Sequence, residues 1–343
     1  MYSGKDRVRA AIKRERADRY AVTAMIASYA AILAGISLKE FEENQEKYYQ
    51  AHIQAYERFR PDVFMLYTST FAEVEALGAE IERSSDRPSN LKTRILESKG
   101  RLSGLKPINP DQDGLFPVYL EAGQRLAKII KGAPVTLSMM SPWSTAVNLR
   151  GAENLIMDTF DDPEFVHELM KFTTEQAKTV AMSISSRGLS VGMSDAGASL
   201  NLISPTIYRE FVWRYNKQVI QYLKNKKVSL GMHACGYNDP ILEDIISLEP
   251  VTLSIDSDTS LEKALELNNS RVVMIGNVDT KLFAHGTLQH IETAVKKCLQ
   301  LARNAEENAF ILCTACYLPV TSKLENLEHY FKVAKDFSVH SAK

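Results

Sequence analysis

The sequence predicts an α/β protein of the (β/α)8 TIM-barrel class, with an N-terminal helical extension and an insertion after the second strand. Three observations predict it. Eight short, apolar runs recur along the 343 residues, and most are followed by a helical segment; such alternation implies a parallel sheet. The length suits a closed barrel of eight units, which commonly takes roughly 200 to more than 400 residues. Polar and metal-capable residues gather where the runs end, and that is where a barrel of this class keeps its reacting groups.

The strand-like runs are Tyr20–Met25, Val63–Tyr67, Val135–Met139, Leu189–Met193, Val228–Met232, Val251–Ile255, Val272–Ile275 and Phe310–Leu312. Helix signals lie between them. Ser37 with Glu40 forms a capping box, predicting a helix through about Phe59. Asp162 and Pro163 read as N-cap and first residue of a helix that Gly188 can end. Ser204-Pro205 repeats the device before Ile207, Phe211, Tyr215 and Val219. Further helices are expected over 239–248, 260–268, 288–306 and 323–337. Residues 84–118, rich in Pro, Ser, Gly, Asp and Lys, read as the insertion. With no repeat, low-complexity tract or linker, residues 1–343 are expected to form one domain.

Composition narrows the function. Lys+Arg 41 against Asp+Glu 42 leaves a net charge of −1, which argues against nucleic acid or an anionic membrane as main partner. No run approaches the ~20 apolar residues of a membrane span, and the N-terminus runs into charge rather than a signal-peptide core. Four cysteines without a secretion signal point to reduced thiols and a cytoplasmic location.

Two segments carry the chemistry: Gly231-Met232-His233-Ala234-Cys235-Gly236 and Leu312-Cys313-Thr314-Ala315-Cys316-Tyr317. His233 and Cys235 are two apart, so on an extended strand they leave the same face. Cys316 would complete a three-ligand set with one position open, the arrangement of catalytic rather than structural zinc. Cys313, three residues before Cys316, should face the other way and belong to the core; a shift in where the strand ends would make it the ligand instead. Cys298 reads as a small core residue within a helix. His52, His167, His285, His290, His329 and His340 lack paired ligands and are expected on the solvated surface. Other strand-end groups are Thr68-Ser69-Thr70, Ser141, Asp195, Asp256, Asp258, Asn277 and Asp279. Asn277 and Asp279 either serve the site or close a turn, and Asp195 is open in the same way. Met25, Met139, Met140 and Met193 are expected in core or pocket wall.

Several segments together resemble the uroporphyrinogen decarboxylase superfamily, and in particular its methylcobamide:coenzyme M methyltransferase branch. They are Glu73-Val74-Glu75-Ala76-Leu77-Gly78-Ala79-Glu80, Ser141-Pro142-Trp143-Ser144-Thr145-Ala146, His233-Ala234-Cys235-Gly236, Gly276-Asn277-Val278-Asp279 with Gly286-Thr287, and Cys316-Tyr317-Leu318-Pro319 before Glu325-Asn326. The resemblance runs from about Phe71 to the C-terminus. The carboxylate-binding Arg-Gln-Ala-Gly-Arg-Tyr element of the decarboxylases is replaced by Arg19-Tyr20-Ala21-Val22-Thr23-Ala24, and their second-strand acid by Leu66-Tyr67-Thr68-Ser69-Thr70. Their late Gly-His-Gly has become Ala315-Cys316-Tyr317.

The resemblance implies zinc on His233, Cys235 and Cys316, with Asp256 as a replaceable fourth ligand and Asp258 as the other choice. It also implies a corrinoid (methylcobalamin or cob(I)alamin) supplied by a corrinoid-binding partner protein, and a small-molecule methyl donor or acceptor. The expected activity is methyl exchange between that corrinoid and a thiol, methyl ether or similar compound, in a direction the residues leave open. Porphyrinogen decarboxylation and a non-catalytic zinc- or corrinoid-binding role are the competing readings.

Overall fold

Every strand of the main sheet runs parallel in the computed structural model, which describes residues 2–305 and 308–337. The strands are β1 (Ala21–Val22), β2 (Phe64–Met65), β3 (Val135–Met140), β4 (Ser190–Asp195), β5 (Leu230–Ala234), β6 (Thr252–Ile255), β7 (Val273–Val278) and β8 (Phe310–Thr314). Their spatial order is β1-β8-β7-β6-β5-β4-β3-β2, so each lies beside its neighbour in sequence and β8 returns to β1. The seam between β1 and β2 is joined by Asp62 N donating to Val22 O at 2.8 Å and Thr23 Oγ1 donating to Val63 O at 2.7 Å. This is the (β/α)8 barrel the alternation predicted.

The seam is clasped by charge. Buried Asp62 accepts from Arg7 Nη1 at 3.1 Å, Arg19 Nη1 at 2.5 Å and Val22 N at 2.8 Å. A buried carboxylate with two guanidinium partners and a backbone donor is well compensated for its desolvation.

Each strand divides its side chains between two cores, because successive residues point to opposite faces. Leu137, Val191, Met232, Leu253, Met274 and Leu312 pack outward against the helices. Val63, Val273, Ile275, Ile311 and Cys313 form a second cluster along the barrel axis. Cys313 is therefore core as expected, on the axis side of its strand.

Most helices follow their caps. Asp162 accepts from Phe165 N at 3.2 Å and opens the helix Pro163–Ser186, and Gly188 follows with φ +73°. The helix expected from Ser37 to Phe59 is instead two, Leu38–Glu43 and Gln45–Phe59. Asn44 breaks it, because it is extended and its side chain accepts from Lys47 N, capping a new helix. The helix after Ser204 passes through a π-helical turn at Tyr208–Trp213 before Arg214–Asn225. The insertion contains a turn of 3-10 helix, Lys99–Gly104, and a small antiparallel pair, Ile81–Glu82 with Asn90–Leu91, leads into it.

His52 overturns an expectation. It is 2% exposed, on the inner face of its helix among Phe41, Tyr48 and Phe64. Its Nδ1 donates to Tyr48 O at 2.8 Å, and its Nε2 accepts from Tyr67 N at 3.1 Å. Both bonds fit only the neutral ring, and burial lowers its pKa from 6.5 to about 4. His340 lies outside the described residues.

Candidate metal centre

Three soft ligand atoms converge at the mouth of the barrel. His233 sits on the last turn of β5, Cys235 just past it, and Cys316 two residues beyond β8. His233 Nε2 lies 3.1 Å from Cys235 Sγ, and Cys235 Sγ lies 3.8 Å from Cys316 Sγ. All three ligand atoms fall within 4.8 Å of one another, and they form the one such group of three found among the described residues.

The backbone around them is tied down. Ser254 Oγ, on neighbouring β6, lies 3.0 Å from His233 Nδ1, so it can fix the ring with Nε2 toward the sulfurs. Asn238 Nδ2 donates to the carbonyls of Cys235 and Gly236 at 2.8 and 3.1 Å. Thr259 Oγ1 donates to Gly236 O at 2.7 Å. Gly236 has φ +69°, and a Cβ there would meet Ser199 Oγ at 2.7 Å; only glycine fits this turn. On the other side, Thr314 Oγ1 donates to Cys316 O at 3.0 Å and accepts from Met25 N at 2.9 Å.

Electrostatics favour a thiolate. The Cys316 thiol is pushed down, first by its hydrogen bond with Cys235 and then, against burial, by His233. The Cys235 thiol is pushed up by that same bond and by burial. The pair therefore gives up one proton readily and holds the second, since two close negative sulfurs repel. A divalent cation would remove that repulsion.

The other strand-end residues divide by what they touch. Asp256 turns one carboxylate oxygen to Gly236 N at 3.1 Å and the other to Ser257 Oγ at 3.2 Å. It borders the triad, and its charge helps raise the Cys235 thiol, but its oxygens lie outside the group of three ligand atoms. Asp258 is exposed. Asn277 Nδ2 donates to the carbonyls of Asp256 and Thr259 at 2.9 and 3.0 Å, so it holds the Asp256 loop in place. Asp279 accepts from Lys281 N at 2.9 Å, a turn-closing bond. Asp195 is 2% exposed and accepts from Ser141 Oγ at 2.5 Å and Asn216 Nδ2 at 2.8 Å. Burial raises its pKa against those bonds.

Sequence reasoning missed Glu73 as a buried acid close enough to act on Tyr317. It is 3% exposed, and one oxygen accepts from Met140 N at 2.8 Å where β2 has already ended. The other oxygen has no partner among the described residues. Burial raises this carboxyl to about 7. Its charge reaches Tyr317, the residue after Cys316. Glu75, two residues on, instead pairs with Arg83 at 2.6 Å. About 200° of helical rotation separates the two acids, and nothing local in the sequence says which one turns inward.

The comparisons with known proteins agree with this architecture. A family model described as uroporphyrinogen decarboxylase (URO-D) matches residues 3–337, extending the resemblance to nearly the whole chain. The uroporphyrinogen decarboxylase of Synechococcus sp. (strain CC9605) is 24% identical over 309 residues, 87% of this chain and 85% of that protein. The methylcobamide:CoM methyltransferase MtbA of Methanosarcina acetivorans is 25% identical over 273 residues, 78% of this chain and 77% of that protein. A solved structure described as a methyltransferase from Methanosarcina mazei superposes with a TM-score of 0.88 at 21% identity, covering 98% of this chain and 99% of that one, which shows the fold. Family model and barrel together place this chain in the uroporphyrinogen decarboxylase family.

Proposed function

We propose that the chain is a zinc-dependent methyltransferase that exchanges a methyl group between a corrinoid protein and a small-molecule thiol, methyl ether or similar compound. The observation that carries this is the convergence of His233, Cys235 and Cys316 at one end of the barrel. The donor set fits zinc. With Zn–S near 2.3 Å, two sulfurs on a tetrahedral ion stand about 3.8 Å apart, and the Cys235–Cys316 separation is 3.8 Å. Three protein ligands leave one position for substrate. When bound, zinc would activate a thiol or polarise an ether oxygen, and the corrinoid would carry the methyl group.

The chain's own residues prepare that site. Ser254 orients His233, Asn238 and Thr259 hold the Cys235 turn, and Asn277 holds the loop that carries Asp256. Asp256 stands beside the triad, where its carboxylate would serve a bound zinc as a displaceable fourth ligand. Asp195 fixes the start of the helix Pro142–Arg150 through Ser141. Relatives that include a methylcobamide:CoM methyltransferase support the reading.

Decarboxylation draws less support. Arg19 is committed to Asp62 at the seam, and no acid ends β2 itself. Among the described residues no helix is long and apolar enough to cross a membrane. The test is demethylation of methylcobalamin by a panel of thiols, and methylation of cob(I)alamin by a panel of methyl ethers, each with and without zinc. Absence of zinc-dependent transfer in both directions would reject the reading.

A further inference from the structure

The inner wall of the barrel is uneven. On β7, β8, β1 and β2 the axis is filled by Val273, Ile275, Ile311, Cys313, Met25 and Val63. On β3 to β6 the inward positions include Thr136, Ser138, Gly192, Ser194, Gly231 and Ser254. The two glycines matter here. Gly192 lies beside Ser138, and a Cβ on it would stand 2.4 Å from Ser138 Oγ. Gly231 lies beside Thr252, and a Cβ on it would stand 2.5 Å from Thr252 Oγ1. Each glycine lets a neighbouring hydroxyl side chain lie against the wall instead of filling the axis.

The result is a cavity of about 310 Å³. Barrels of this class ordinarily fill that space with layers of bulky branched side chains. The cavity runs from Val8 and Ile12 of the N-terminal helix to His233 and Tyr317 at the mouth. Among the described residues no Asp, Glu, Lys or Arg lines it.

We propose that this cavity binds a small, uncharged molecule with an apolar body that carries a methyl ether or methyl thioether. Size allows it, since an apolar cavity of about 150 Å³ already takes benzene. Charge selects for it, because a carboxylate or sulfonate would enter without a counter-charge. Met25 and Met65 offer adaptable, polarizable contacts to an aromatic or alkyl body. His233 closes one end, so a ligand's oxygen or sulfur placed there faces the metal ligands. The identity of the reacting atom rests on the methyl-transfer reading. The binding does not.

The test titrates methoxybenzene and, separately, methylthiobenzene into the full chain by calorimetry, both as purified and after removal of metal by chelation. Saturable one-to-one binding of at least one of them is expected in both states, with benzoate excluded. Ser138→Leu projects into the cavity and should weaken binding at least tenfold while metal content stays the same. Ser194→Val is the milder filling variant if Ser138→Leu does not fold, and a severalfold weakening is expected of it. Absence of saturable binding, or binding undiminished in the folded filling variants, overturns the proposal. A chain without methyl transfer that still binds methoxybenzene would fail the function and keep the cavity site, so the two failures are read separately.

Discussion

Two stretches of the barrel mouth solve the placing of reactive groups in opposite ways. Around β5, β6 and β8 the reactive side chains are half-buried and gathered: His233, Cys235, Cys316 and Asp256 stand close together with their backbones tied down. Around β2 and β3 two titratable groups, His52 and Glu73, are buried in surroundings that favour their neutral forms. His52 is held as the neutral ring by two backbone bonds, and Glu73 is pushed toward its acid form by burial. Tyr67 between them donates its hydroxyl to Glu42 at 3.1 Å, and Glu42 meets Arg83 at 3.3 Å. The first region can accept a cation because it collects negative charge. The second keeps its ion pair, Glu42 with Arg83, out of the cavity lining, which suits an apolar ligand.

The sharpest break of this comparison lies on the ligand side. Cys235→Ala and Cys316→Ser should each reduce bound zinc from about one per chain to near none, as expected of removing one ligand in three. Circular dichroism should change little, because both residues lie past the strand ends. Cys313→Ser should keep its zinc, because Cys313 is buried along the axis outside the ligand group. Metal analysis of the three variants decides this, and retention of zinc by Cys316→Ser would remove that residue from the site.

The two regions also differ in how far they can be read from residues alone. The convergence of His233, Cys235 and Cys316 was legible because its signal is local: two residues on a strand share a face, and cysteine and histidine are residue types suited to soft-metal ligation. All eight strands were legible for the same reason, as short apolar runs with helical punctuation. The opposite side depends on packing between distant segments. His52 is buried because Phe41, Tyr48 and Phe64 close around it, and a lone histidine on an amphipathic helix does not reveal that. Glu73 is inward and Glu75 outward by helix phase in a helix of five residues, too short for a periodic pattern. Cys313 is core as expected, but which of the barrel's two cores it joins depends on packing, because an apolar strand residue can belong to either.

The second break is in pH. Glu73 goes from an ordinary value of 4.5 to about 7 in the fold. Its contribution to stability is therefore present below pH 4.5 and is lost as pH rises toward 7, a change on the order of 3 kcal/mol for such a shift. His52 goes from 6.5 to about 4. Its contribution is present above pH 6.5 and is lost as pH falls toward 4, by a similar amount. The two slopes oppose each other between pH 4.5 and 6.5. Glu73→Gln should make the unfolding free energy rise more steeply with pH than in the parent chain, and His52→Gln should do the reverse. Urea unfolding at pH 5, 6 and 7 measures both. Parallel pH profiles for parent and variants would mean that these groups are not held neutral by the fold.

The smallest expected effect belongs to Asp256, and it separates a ligand from a scaffold. Its carboxylate now accepts from Gly236 N and Ser257 Oγ, one residue from Cys235, so it can act on the metal directly or only by shaping that turn. Three ligands remain without it, so Asp256→Ala should keep most of its zinc. If Asp256 is the group a substrate displaces, its loss should change KM or turnover severalfold, and X-ray absorption of the parent chain should show one oxygen scatterer replaced when a thiol binds. If it serves only the turn, its loss should cost about 1 kcal/mol of stability, as for other side-chain caps of backbone N–H groups, with kinetics unchanged. Asp256→Asn sharpens the choice. It can still accept from Gly236 N and preserve the turn, but its neutral amide is a poorer metal ligand. A kinetic change in Asp256→Asn without a stability change would assign the carboxylate to the metal, and recovery of both properties would assign it to the turn.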